Sequence, residues 1–181
     1  MFKLHNARYE QIKESVIETF EKYEIDKYPI DCFKLAEKMG FEIIPFSKLD
    51  DDQLKAIRFC EGEAIMFIID DNKYIFFNDI NTNLTRQRFS IFHELGHYVL
   101  GHKHESDLSR LEANFFASYA IAPLPLVWKT GSNSILKICQ TFDVSFDCAT
   151  NIIYNLENWQ RITKNKLKTY EKKLLKLFKL N

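Results

Sequence analysis

The sequence predicts an α+β fold, and three successive hydrophobic patterns predict it. Apolar residues recur at helical spacing up to Gly40. Four short runs rich in Ile and Phe follow between Phe41 and Asn78, and helical spacing returns from Thr82 onward. The chain has 181 residues, 46% of them hydrophobic and sixteen of them Phe, enough for a real core and unlike a disordered segment.

In chain order, Tyr9, Ile12, Val16, Phe20 and Tyr23 set a first helix over about Ala7 to Tyr23. "IDCFKLAEKMG", after Pro29, reads as a shorter second helix, with Gly40 as its left-handed stop. "FEIIPF", "KAIRFC", "AIMFIID" and "KYIFFN" read as strands of a small antiparallel meander, punctuated by Glu61-Gly62 and Asp71-Asn72. Thr82 or Asn81 caps a helix running to about Leu100, stopped by Gly101. Further helices are expected over Asp107 to Ile121, Asn133 to Phe142 and Ser145 to Trp159, with a last one in the basic tail.

Composition excludes several classes. The longest uncharged apolar run, "AIMFII", is far too short to cross a membrane, and "MFKLHNARYEQIK" lacks the apolar stretch of a secretory signal. A cytoplasmic protein is therefore expected, with Cys32, Cys60, Cys139 and Cys148 as buried free thiols. Lys plus Arg equals Asp plus Glu at 25 each. The residues from Arg161 on nevertheless hold eight basic groups against Glu171 alone, a local charge of +7. The balancing −7 of the body argues against direct DNA binding.

"FSIFHELGHYVLGH" carries the chemistry. His93 and His97, four apart, point the same way from one helix, about 40° and about 6 Å apart, so both can hold one zinc ion. Glu94 is rotated by about 100°, beside the metal, where a general base for hydrolysis is needed. A plain surface helix with polar residues does not explain why Phe89, Ile91, Phe92, Leu95, Val99 and Leu100 crowd the same segment.

A catalytic zinc site takes a third protein ligand. An HExxHxxGxxH pattern fails here, because Leu100 and Lys103 stand where its Gly and last His belong. Glu112 in "RLEANFFASYAIAP" is the leading candidate, beside an apolar stripe of Leu108, Leu111, Phe115 and Tyr119 on a helix returning antiparallel to the first. Asp107 and His102 remain alternatives.

"RQRFSIFHELGH" followed by "EANFFASYAIAP", with "YPIDCFKLAEKMGFEI" upstream, resembles the ImmA/IrrE family of zinc metallopeptidases over most of the chain. The resemblance implies zinc held by His93, His97 and Glu112, with Glu94 as general base. It also implies a substrate: a helix-turn-helix (XRE-type) repressor or antitoxin of a phage, mobile element or stress regulon. Two departures stand out. Ile121-Ala122 replaces the Leu-Met common before the final Pro, and the tail after Trp159 has no counterpart. One metallopeptidase domain is thus expected over 1–160, made of helices and small sheet (1–80), zinc-site helices (81–130) and a helix-turn-helix-like pair (131–160). A basic amphipathic helix over 161–181 completes the chain.

Other residues have weaker claims. Arg86 and Arg88 are candidates to contact substrate or to pair with acids, since cations at a helix N-terminus oppose its dipole. Tyr98 and Tyr119 are oxyanion-stabilising candidates, with core packing the plainer reading. The pair around "DVS" resembles a DNA-reading motif, yet Ser145 to Trp159 has no Lys or Arg and two acids, Asp147 and Glu157. Leu167, Tyr170, Leu174 and Leu177 in the tail suggest packing on the domain or on a second copy, as a homodimer. A non-cleaving, metal-bearing module that sequesters a repressor is the competing functional reading.

Overall fold

The computed structural model describes residues 4–58 and 63–180. Its helices are α1 (Asn6–Lys22), α2 (Cys32–Lys38), α3 (Asp51–Arg58), α4 (Leu84–Val99), α5 (Asp107–Ile121), α6 (Leu124–Lys129), α7 (Ile135–Phe142), α8 (Phe146–Thr163) and α9 (Thr169–Leu177). Its strands are β1 (Phe41–Pro45), β2 (Ala64–Ile69) and β3 (Asn72–Phe77), so the fold is α+β as expected. The chain divides into two compact units, one from residues 31–117 and the other from the residues on either side.

The unit of residues 31–117 is a three-stranded sheet with helices α2 and α4 against it. Its core is Leu35, Ala36, Ile75, Ile91, Phe92, Leu95, Ala113 and Phe116, all fully buried. Asp31 caps α2 by accepting from the Phe33 and Lys34 N–H groups, and Gly40 takes φ +83° where that helix stops. The sheet is mixed. Its order is β1-β3-β2, β2 pairing antiparallel to β3 through a turn whose Asp70 and Asp71 both have positive φ. β1 joins the other edge in parallel, Ile43 opposite Ile75, where an antiparallel meander was expected.

The cause lies in the segment expected as the second strand. From Lys55 to Arg58 it is helical, part of α3. Asp50 accepts from the N–H groups of Asp52 and Gln53, and Asp51 and Asp52 favour the positive end of the helix dipole. Capping of this strength overrides the alternation of Ala56, Ile57 and their neighbours, and the chain returns to the sheet through a helix. Phe59, Cys60 and the expected Glu61-Gly62 turn lie outside the described residues.

The other unit packs α1 against α9, α6 against α8 and α9, and α7 against α8. Ile12, Val16, Phe20, Leu126, Phe142 and Leu174 are fully buried there. Of the tail's expected stripe, Tyr170 and Leu174 are buried within the unit, while Leu167 and Leu177 are half-buried. Glu10 of α1 accepts from Lys168 and Tyr170, fastening that packing. Glu171, 1% exposed, accepts from the Trp159 indole N–H and the Lys168 backbone N–H. Six-residue α6, unforeseen from the sequence, starts on Pro123 and Pro125, which suit a helix's first turn. Cys32 is buried, its thiol pushed up to about 12 by burial, while Cys139 and Cys148 are thiols outside any disulfide and only half-buried.

Candidate metal centre

Helix α4 presents the site, and its ends are set locally. Asn83, one residue after the expected cap, accepts from the Arg86 N–H. At the other end Gly101 takes φ +70°, with its N–H bonded to the Tyr98 carbonyl and the His102 N–H to the His97 carbonyl. Those two bonds form a Schellman closure, which folds His102 back over the last turn.

Helix α5 comes close because α4 has a glycine facing it. A Cβ on Gly96 would sit 3.1 Å from the Cβ and Cδ1 of Phe116. Glu112 lies one turn before Phe116 on the same face. The face of α5 that turns inward is Ser109, Glu112, Ala113, Phe116 and Ala117, not the expected stripe: Leu108 is 54% exposed, and Leu111 and Phe115 are half-buried. Small Ala side chains permit the approach that large ones would hold off. Ser106 and Ser109 cap the start of α5 reciprocally, each hydroxyl accepting from the other's backbone N–H.

The result is a continuous chain of contacts across the two helices. Asn114 Oδ1 lies 2.9 Å from His93 Nδ1, and His93 Nε2 lies 3.0 Å from His97 Nε2. His97 Nδ1 lies 3.0 Å from His102 Nδ1, and His102 Nε2 lies 3.0 Å from Glu112 Oε2. His97 and Glu112 are buried. Sequence reasoning thus brought together His93, His97, Glu112 and, as an alternative ligand, His102. It missed Asn114, although an Asn amid "EANFFASYAIA" needs a partner wherever that helix is covered.

Counting protons tells what this chain lacks. An amide oxygen at one end and a carboxylate at the other are both acceptors, so the chain of four contacts needs four protons, while three neutral imidazoles bring three. Asn114 fixes the His93 proton on Nδ1, and the Glu112 carboxylate fixes that of His102 on Nε2. His102 Nδ1 then accepts from His97 Nδ1–H, which leaves the Nε2 lone pairs of His93 and His97 facing each other. An added proton or a cation must close that contact. Burial holds both rings below the usual histidine range, His97 down to about 4 with His93 and His102 adding to the effect, so these two rings resist the proton. The pair fits a divalent cation: two nitrogens 3.0 Å apart can each stand about 2.0–2.1 Å from one zinc-sized ion. Among the described residues, no three His, Cys, Asp or Glu side chains converge on a single point.

Glu94 is held from the other side. The Met66 N–H of β2 donates to its Oε2 at 3.1 Å. Burial raises its carboxyl to about 7, against the pull of that N–H in the opposite direction. β2 is an edge strand and the Met66 N–H points off its outer rim, so the sheet contributes a main-chain donor that no side-chain pattern reveals.

The remaining candidates fall elsewhere. Arg86 pairs with Glu63, which also accepts from Ser90 Oγ at 3.2 Å, so the acidic partner expected for Arg86 is present. Arg88 is buried, and its charge acts on Cys32. Asp107 is exposed in the first turn of α5. Tyr98 packs edge-on against Phe41, its hydroxyl 3.4 Å from Lys73 Nζ. Tyr119 is buried in the other unit, near Lys13.

Over residues 36–151 the sequence matches the IrrE N-terminal-like domain, a peptidase family. The chain belongs to that family. The match takes in well over half of the chain, including α4, α5 and the sheet. It makes the chain a member of a metallopeptidase family, with a protein as its class of substrate. No curated protein matches the sequence. Among the described residues no helix is long and apolar enough to cross a membrane.

Proposed function

We propose that this protein is a zinc-dependent endopeptidase whose substrate is a helix-turn-helix (XRE-type) repressor or antitoxin of a phage, mobile element or stress regulon. The observation that carries the reading is the facing Nε2 pair of His93 and His97, with a carboxyl group on the adjoining residue. In this reading His93, His97 and Glu112 hold the cation, and Glu94 is the general base. A divalent cation at that position polarises the scissile carbonyl and acidifies water. Asn114 and His102 keep the two imidazoles in the tautomers that aim Nε2 inward. Glu94, with a carboxyl near neutrality, suits a group that takes a proton from water and returns it to the leaving amine. The Met66 N–H restrains it without protonating it.

The substrate class rests on the family likeness, and the test addresses it directly. Purified protein with zinc is incubated with the helix-turn-helix protein encoded beside its gene. Wild type is expected to cut the partner, and Glu94→Gln to lose at least about a hundredfold in rate. Chelation of the metal is expected to stop cleavage. An intact partner sequestered equally by wild type and Glu94→Gln makes the protein a non-cleaving binding module instead.

A further inference from the structure

We infer that His102 is a positioning residue of this centre, one that sets the tautomer of His97 and ties Glu112 to the imidazole pair. The inference rests on the proposed metal centre. It starts from the backbone: the Schellman closure at Gly101 bonds the His102 N–H to the His97 carbonyl at 3.0 Å, stacking the two residues although Gly101 separates His102 from the helix. The rings follow, with Nδ1 to Nδ1 at 3.0 Å and the ring planes crossing at 75°. On its far side, His102 Nε2 meets Glu112 Oε2 at 3.0 Å, both side chains nearly sealed from solvent at 11% and 9% exposure.

Both ring nitrogens of His102 are therefore engaged, and neither faces the Nε2 pair. A carboxylate accepts but does not donate, so Glu112 places the His102 proton on Nε2. With His102 a neutral imidazole, its Nδ1 is then an acceptor, and the His97 proton sits on Nδ1. The only lone pair left on His97 is Nε2, the one that faces His93. The same links pass the negative charge of Glu112 to His97, making its Nε2 a better donor to a cation. His102 thus acts on the metal through His97 and fixes the Glu112 carboxylate by its Nε2–H.

Zinc affinity, measured by competition with a chromophoric chelator, tests this. His102→Phe keeps a ring but makes no hydrogen bonds, and is expected to weaken zinc binding about tenfold to a hundredfold. His102→Gln, whose amide can accept from His97 and donate to Glu112, is expected to recover most of that loss. The cobalt-loaded His102→Gln protein should keep the wild-type ligand-field spectrum. In zinc-loaded wild type, nitrogen NMR should find His102 protonated on Nε2 with Nδ1 bare, a readout independent of any variant's folding. Undiminished zinc affinity in a folded His102→Phe protein, the opposite His102 tautomer, or a changed cobalt spectrum overturns the inference; the last makes His102 a ligand. Zinc binding that survives both His93→Ala and His97→Ala overturns the metal centre itself, and this inference with it.

Discussion

Replacing Glu94 by Gln should make the metal-free protein more stable, and only at neutral and alkaline pH. Burial raises the Glu94 carboxyl from its ordinary value of 4.5 to about 7 in the folded chain. A raised folded value means that the folded state prefers the protonated form. That preference stabilises the fold fully below pH 4.5 and is lost as pH rises through about 7. Over that interval wild type gives up about 3 kcal/mol relative to a chain in which residue 94 cannot ionise. Gln keeps an oxygen for the Met66 N–H and carries no charge. The two proteins should therefore melt together near pH 4.5 and separate by roughly 6–12 °C above pH 8. Thermal melts at a series of pH values, in the presence of chelator, measure the gap. The depressed His93 and His97 titrations are common to both proteins and cancel in the difference. A gap that stays constant across pH, or that widens toward acid, refutes the account of Glu94 as a carboxyl strained by burial.

Other expectations are more direct. His93→Ala or His97→Ala should lower zinc affinity by on the order of a hundredfold or more, by chelator competition, because each removes one of two facing lone pairs. Gly96→Val should cost about 2 kcal/mol in urea unfolding, since its side chain meets Phe116 at contact distances that are already short at Cβ. Burial would raise the Glu10 carboxyl, but bonds from Lys168, Tyr170 and Lys13 outweigh it and hold it at about 2. Its stabilisation is thus present above pH 4.5 and lost as pH falls to about 2. Glu10→Gln should cost about 1 kcal/mol at pH 7, allowing for solvent screening, and nothing near pH 2.

What the sequence disclosed was whatever one helix or turn decides by itself. The spacing of His93 and His97, the left-handed stops at Gly40 and Gly101, and the start of α5 at Asp107 each depend on residues within a few positions. The parallel entry of β1 depends on where α3 delivers the chain, and no strand carries a mark of its partner's direction. α3 itself was legible in "DDDQ", but the apolar alternation after it pointed to a strand. His102 was undervalued because Gly101 reads as the end of a helix. The stop is also a fold-back: a Schellman glycine returns the next residue to the turn before it, so Gly followed by His puts a second ring over His97. Glu112 was found, but from a stripe in which Leu108 is exposed and Leu111 and Phe115 are only half-buried; its true neighbours are Ala113 and Phe116, which pack where Gly96 makes room.

The Met66 amide gives its grip on Glu94 to whatever residue occupies that place in the strand. A saturation library at position 66, scored for activity, should look permissive, since apolar replacements of a half-buried side chain all retain the N–H. Proline alone deletes the donor, and would stand out as the single intolerable letter. A restraint written into the main chain leaves almost no trace in the alphabet of side chains.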